Sequence, residues 1–264
     1  MRRLLPVLTL VLALAAGPAF AATPVRIVLI GDSTMAESSG WGPAFCKDVS
    51  ADVTCINLAK GGRSSGSYKA EGSWDKALAE LAKTGPWKAT YVLVQFGHND
   101  QPGKAGRSTD LATEFPVNMA GYVHDIRAAG ATPVLVTPLT RRQFKAGRLN
   151  PDLAPWAEAT RRVAAAEKVA LLDLNADSAA AVQAMGPVAS MSLAQADPPE
   201  FLIKAAETGT TAEAPKDPPP PPGKAAFDYT HLGPKGSAIF AAIVEKELTA
   251  AAPALKPYFL SPRS

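Results

Sequence analysis

Cysteine and histidine are scarce in this 264-residue chain, with two of the first (Cys46 and Cys55) and three of the second. A miniprotein stapled by several disulfides is therefore excluded. A histidine-built metal centre finds no support either, since no pair of histidines has ligand spacing. A surplus of charge is also missing. Lysine and arginine total 27 against 24 aspartates and glutamates, and two of the arginines, Arg2 and Arg3, lie in a segment expected to be removed. What remains is close to neutral, without the basic stripe that nucleic-acid binding requires. The 20 glycines show no three-residue period, which excludes a collagen-like fibre. Beyond the N-terminus no apolar run is long enough to span a bilayer. The chain does have 47% hydrophobic residues, enough for one sizeable core.

The N-terminal sequence MRRLLPVLTLVLALAAGPAFA sets two arginines before an apolar run over 4–16 and ends on the small-x-small triplet Ala19, Phe20, Ala21. That is the layout of a cleavable secretory signal. The run is shorter than the ~20 residues a membrane anchor needs. Residues 1–21 are thus expected to be removed near Ala21, leaving a periplasmic or secreted protein without a membrane partner. Export permits a Cys46–Cys55 disulfide; two buried free thiols are the alternative.

Downstream, short β-branched runs alternate with helical patterns. Residues 25–30 (VRIVLI), 53–58, 91–96 (YVLVQF), 132–137 (TPVLVT) and 169–172 have the near-continuous apolar character of strands buried on both faces of a parallel sheet. Helices are expected from Pro116 to Gly130, from a capping Asp152 to about Lys168, and from Pro234 to about Ala250. Strands separated by helices indicate βαβ units and a single α/β domain over 22–264. Across 194–226 the pattern fails, and the stretch, with its five consecutive prolines 218–222, reads as a surface loop that could wall or cover a site.

In an open parallel sheet, sites form beyond the carboxyl ends of the strands. Gly31-Asp32-Ser33-Thr34 follows the first expected strand, Asn57 to Ser65 (NLAKGGRSS) the second, and Gly97-His98-Asn99-Asp100 the third; Asp228-Tyr229-Thr230-His231 precedes the last helix. Together they supply a nucleophile, a base, a carboxylate and oxyanion donors, the parts that acyl transfer needs.

These four blocks resemble those of the SGNH (GDSL-type) hydrolases, and IGDSTMA, AKGGRSSGSY and QFGHND resemble rhamnogalacturonan acetylesterases in particular. The resemblance runs from about residue 25 to 250 and implies a flavodoxin-like three-layer α/β/α sandwich with a five-stranded parallel sheet. It implies Ser33 as nucleophile, His231 as its general base and Asp228 as the carboxylate that orients the imidazole. The oxyanion hole would comprise the backbone N–H groups of Ser33 and Gly62 and the side-chain amide of Asn99. No cofactor is implied, and the substrate would be an acetylated polysaccharide or oligosaccharide. A broader carbohydrate or small-ester esterase and a non-catalytic glycan binder are the rival readings.

Other residues carry two readings each. His98 could contact substrate or only shape its loop. Arg63 could pair with a uronate carboxylate or hydrogen-bond a loop carbonyl. His124 lies off the apolar face of its helix and is expected in solvent. GGRSSGS lacks the Lys-Ser/Thr of a phosphate-binding loop. Trp41, Trp74, Trp87 and Trp156 could stack on sugar rings, with core packing as the default.

Overall fold

The computed structural model describes residues 23–214 and 225–260. The expected signal segment 1–21 and the prolines 218–222 lie outside the described residues. In chain order the described strands are β1 (Val25–Gly31), β2 (Val53–Asn57), β3 (Ala89–Gln95), β4 (Thr132–Val136), β5 (Phe144–Lys145), β6 (Arg148–Leu149) and β7 (Ala170–Leu172). Five of them form one parallel sheet in the order β2-β1-β3-β4-β7, while β5 and β6 make a small antiparallel hairpin. The helices are α1 (Gly42–Lys47), α2 (Ser67–Ala70), α3 (Ser73–Leu81), α4 (Phe115–Ala128), α5 (Ala154–Glu167), α6 (Leu174–Ala189), α7 (Glu200–Glu207) and α8 (Pro234–Ala251).

Alternation along the central strands builds two cores. Ile27, Leu29, Leu93 and Val134 point to one face and pack with Phe45 of α1, Val182 of α6 and Phe240 of α8. Val28, Ile30, Val92 and Val94 point to the other, against Trp74 of α3, Met119 of α4 and Val163 of α5. Burial on both faces is why β1 and β3 read as unbroken apolar runs. The result is a three-layer α/β/α arrangement. β1 and β3 pair in register from Val25 opposite Ala89 to Gly31 opposite Gln95. The strand order reverses between them, so the chains leaving β1 and β3 open a crevice at the switch point.

Two local expectations need correction, and one open alternative is resolved. The helix after residue 152 begins at Ala154, with Leu153 at its N-cap position and no side-chain cap. Asp152 instead binds Arg141 and the amide of Gln101, because a guanidinium is a stronger partner than a helix N-terminus. The stretch 194–226 is not all loop: α7 lies within it, and Leu202 and Ala206 join Met191, Phe227 and Tyr229 in a third small core. Cys46 of α1 and Cys55 of β2 are disulfide-bonded, which excludes the free-thiol alternative. Among the described residues no helix is long and apolar enough to cross a membrane.

Glu247 on α8 sits poorly in this fold. Both carboxyl oxygens are withdrawn from water without a hydrogen-bond donor. Burial, with Asp177 and Asp173 nearby, pushes its pKa from 4.5 up to about 8. Below the lower value both folded and unfolded chains hold the proton. Between the two, the unfolded chain has lost it and the fold keeps it, so stability falls as pH rises through that window. Glu247→Gln is expected to raise the unfolding temperature by a few degrees at pH 8 and negligibly at pH 4, read by thermal melts. An equal gain at both pH values would refute the assignment.

Candidate active site

Ser33 emerges from β1 in a turn whose geometry its neighbour enforces. The buried carboxylate of Asp32 accepts the backbone N–H of Thr34 at 2.9 Å and its hydroxyl at 2.8 Å. Gln95, at the end of β3, donates to the Thr34 hydroxyl at 2.6 Å and accepts from the Trp41 indole at 2.9 Å. From the other side the Ser39 hydroxyl donates to the Ser33 carbonyl at 2.7 Å. The Ser33 loop is thus held on both flanks.

The segment after β2 is tied to the same loop. Asn57 donates its amide to the Met35 carbonyl at 2.9 Å and accepts the Ala59 N–H at 3.1 Å. Gly62 adopts φ +77°, a conformation that any β-carbon would strain. Asp100, after β3, accepts the Ser65 hydroxyl at 2.6 Å and the Thr109 hydroxyl at 2.8 Å. Burial pushes its pKa up to about 6 in spite of those bonds.

The turn before α8 completes the group. Ser33 Oγ lies 2.9 Å from His231 Nε2, and His231 Nδ1 lies 2.7 Å from Asp228 Oδ2. With the proton on Nδ1 donated to the carboxylate, Nε2 is free to accept the serine proton. The other Asp228 oxygen accepts the N–H groups of Thr230 and His231, each at 2.7 Å. Burial opposes ionisation of Asp228, but its bonds to His231 and to these amides win and hold its pKa at about 2. Beneath the turn, the fully buried Arg142 guanidinium donates to the carbonyls of Asp228, Thr230 and His231 at 3.0, 3.2 and 2.9 Å.

Ser33, Gly62, Asn99 and His231 line one cavity of about 480 Å³. Neither the Ser33 nor the Gly62 N–H has a backbone partner among the described residues. Asn99 donates one amide hydrogen to the Arg63 carbonyl at 3.0 Å, which leaves the second for the cavity. This constellation can deprotonate a hydroxyl as it attacks a carbonyl and can receive the resulting oxyanion.

Two sequence candidates for substrate contact do not reach the cavity. His98 is 3% exposed and stands 3.3 Å from the Asp32 carboxylate, packed inside the Ser33 loop and not facing the cavity. The Arg63 guanidinium is occupied by Glu71 at 2.8 Å and by the Gly61 carbonyl at 2.7 Å, which removes it from uronate binding. Arg63 in turn holds Glu71 at a pKa of about 2. His124 is exposed, with Glu167 at 2.9 Å. Trp41, Trp74 and Trp156 are buried, and Trp87 donates to Thr54 under the Arg26 guanidinium. Three residues that sequence reasoning missed are Ser39, Arg107 and Arg142. Arg107 and Arg142 act through contacts distant in sequence and Ser39 through the Ser33 carbonyl six residues away, and none has a local pattern to announce it.

The chain is similar to known proteins in sequence and in fold. The profile of the GDSL-like Lipase/Acylhydrolase family matches residues 29–239. Rhamnogalacturonan acetylesterase RhgT of Bacillus subtilis is 34% identical over 178 residues, which cover 64% of this chain and 73% of that protein. The rhamnogalacturonan acetylesterase of Emericella nidulans is 45% identical over 75 residues, 28% of either chain. Among solved structures, Bacillus subtilis protein YxiM matches with a TM-score of 0.64 at 22% identity, over 86% of this chain. This chain spans 57% of the YxiM chain, little more than half its length. An acetyl xylan esterase, AlAXEase, matches with a TM-score of 0.56 at 16% identity, over 84% of this chain and 98% of the other. At such identities these two likenesses concern the fold alone. The sequence match is of another order, and this chain belongs to the GDSL-like lipase/acylhydrolase (SGNH) family of serine hydrolases acting on carboxylic esters.

Proposed function

We propose that this protein is an exported carbohydrate acetylesterase that removes O-acetyl groups from rhamnogalacturonan or a similar pectic polymer. The observation that carries the chemistry is the run of contacts from Ser33 Oγ through His231 to Asp228, 2.9 and 2.7 Å long, facing a cavity shared with Gly62 and Asn99. The identity to rhamnogalacturonan acetylesterases supports the substrate. The signal-like segment 1–21 supports export to a periplasm or beyond.

Ser33 Oγ attacks the acetyl carbonyl carbon while His231 Nε2 takes its proton. The carbonyl π-electrons move to oxygen, which the N–H groups of Ser33 and Gly62 and the amide of Asn99 receive. Collapse expels the sugar oxygen, protonated by His231, and leaves acetyl-Ser33. Water, deprotonated by the same imidazole, attacks the acyl carbon, and acetate departs as Ser33 recovers its proton. No step calls for a cofactor.

Acetate release from acetylated rhamnogalacturonan, acetylated xylan and p-nitrophenyl acetate, alongside fluorophosphonate labelling, tests the reading. Labelled Ser33 with the fastest release from rhamnogalacturonan supports it. Labelling with equal release from all three makes the protein a broad esterase, and no labelling with retained polysaccharide affinity makes it a binder. Asn99→Ala is expected to lower kcat by roughly 10²–10³ with little change in KM, since its second amide hydrogen serves the oxyanion rather than the bound ester. A loss confined to KM would assign Asn99 to substrate binding instead.

A further inference from the structure

Arg107 stands apart from the other arginines near the site. Arg63 is held by Glu71 and Arg141 by Asp152, whereas no carboxylate pairs with Arg107 among the described residues. Its Nη1 donates to the Gly62 carbonyl at 3.3 Å and to the Asn99 side-chain oxygen at 3.4 Å. Those contacts fix a half-buried guanidinium beside the groups that would receive an ester carbonyl, and its other N–H donors have no acceptor among the described residues. Among the described residues, the cavity lining that Arg107 shares with Ser33 and His231 includes no Asp or Glu. A cavity so lined favours an anion.

We propose that Arg107 forms a carboxylate-binding subsite that takes the uronate group of an acidic sugar adjoining the acetylated one. The assignment rests on the acetylesterase reading above. A planar fork with unused donors suits a carboxylate, which can accept two parallel N–H bonds. Because Gly62 and Asn99 already hold the guanidinium, little further ordering accompanies binding. Arg107 thereby takes the role that the sequence offered to Arg63.

The test compares acetate release from an acetylated galacturonate-containing oligosaccharide with release from the same oligosaccharide after its carboxyls are reduced to alcohols. The wild-type protein is expected to prefer the acidic form by about tenfold in KM, a preference that shrinks with added salt. Arg107→Gln should lose most of that preference and its salt dependence, while any loss on the reduced form is several-fold smaller. Arg107→Lys, which keeps the charge but not the fork, should fall between. Equal losses on both substrates, or a wild-type enzyme indifferent to the carboxyls, would overturn the subsite. A wild-type protein that releases nothing even from p-nitrophenyl acetate would overturn the esterase reading, and the subsite with it.

Discussion

Ser33→Ala is expected to stop acetate release, a loss of roughly 10⁶-fold in kcat by analogy with other serine hydrolases, while the protein stays folded. The two halves of this expectation have separate causes. The Ser33 hydroxyl is the group that His231 faces at 2.9 Å, and among the described residues no second hydroxyl lining the cavity has a histidine partner. Ser39 is the nearest alternative by position, but its hydroxyl is engaged by the Ser33 carbonyl. Stability should change little, because the bonds that shape the turn come from Asp32, Thr34 and the Ser33 carbonyl, none of which the substitution removes. Acetate assays with thermal melts check both halves. Turnover within about tenfold of wild type would remove Ser33 from the chemistry.

Asp228→Asn should cost about 10⁴-fold in kcat with KM nearly unchanged. The carboxylate does two jobs that an amide cannot. On the proposed mechanism it accepts the Nδ1–H bond and so keeps Nε2 unprotonated toward Ser33, and it would balance the charge that the ring acquires on taking the serine proton. An amide that presents N–H to the ring would favour the opposite tautomer. With a pKa of about 2, Asp228 remains ionised at any pH well above that value. The backbone turn should survive, since an asparagine oxygen can still accept the Thr230 and His231 N–H groups. A fall of less than about tenfold would mean that the turn, rather than the charge, orients the ring.

The central strands were legible because burial on both faces leaves an unbroken apolar signature, clearest in β1 and β3. The order of the polar blocks was legible too, since each follows a strand or precedes α8, and a parallel sheet collects such segments at one edge. α7 escaped notice for a compositional reason. Pro198 and Pro199 precede it and more prolines follow, so an eight-residue helix with buried Leu202 and Ala206 hides in a stretch that reads as punctuation. Asp152 was misread because a capping residue and an ion-pair partner look the same in one dimension. Arg107 and Arg142 could not have been singled out. Their neighbours in sequence, GKAGRSTD and TPLTRRQF, show no periodicity, and their partners lie 45 residues away for Gly62 and 86 or more for Asp228 and His231.

The cross-ties among the inner loops, from Asn57 to Met35, from Asp100 to Ser65 and from Arg142 to the carbonyls around His231, have an evolutionary corollary. On the proposed function, the groups that would act on the ester are braced from within the molecule, while recognition would fall to cavity-lining side chains such as Arg107. Descendants of such a chain could therefore trade one substrate for another through outer replacements, with the inherited reaction left intact.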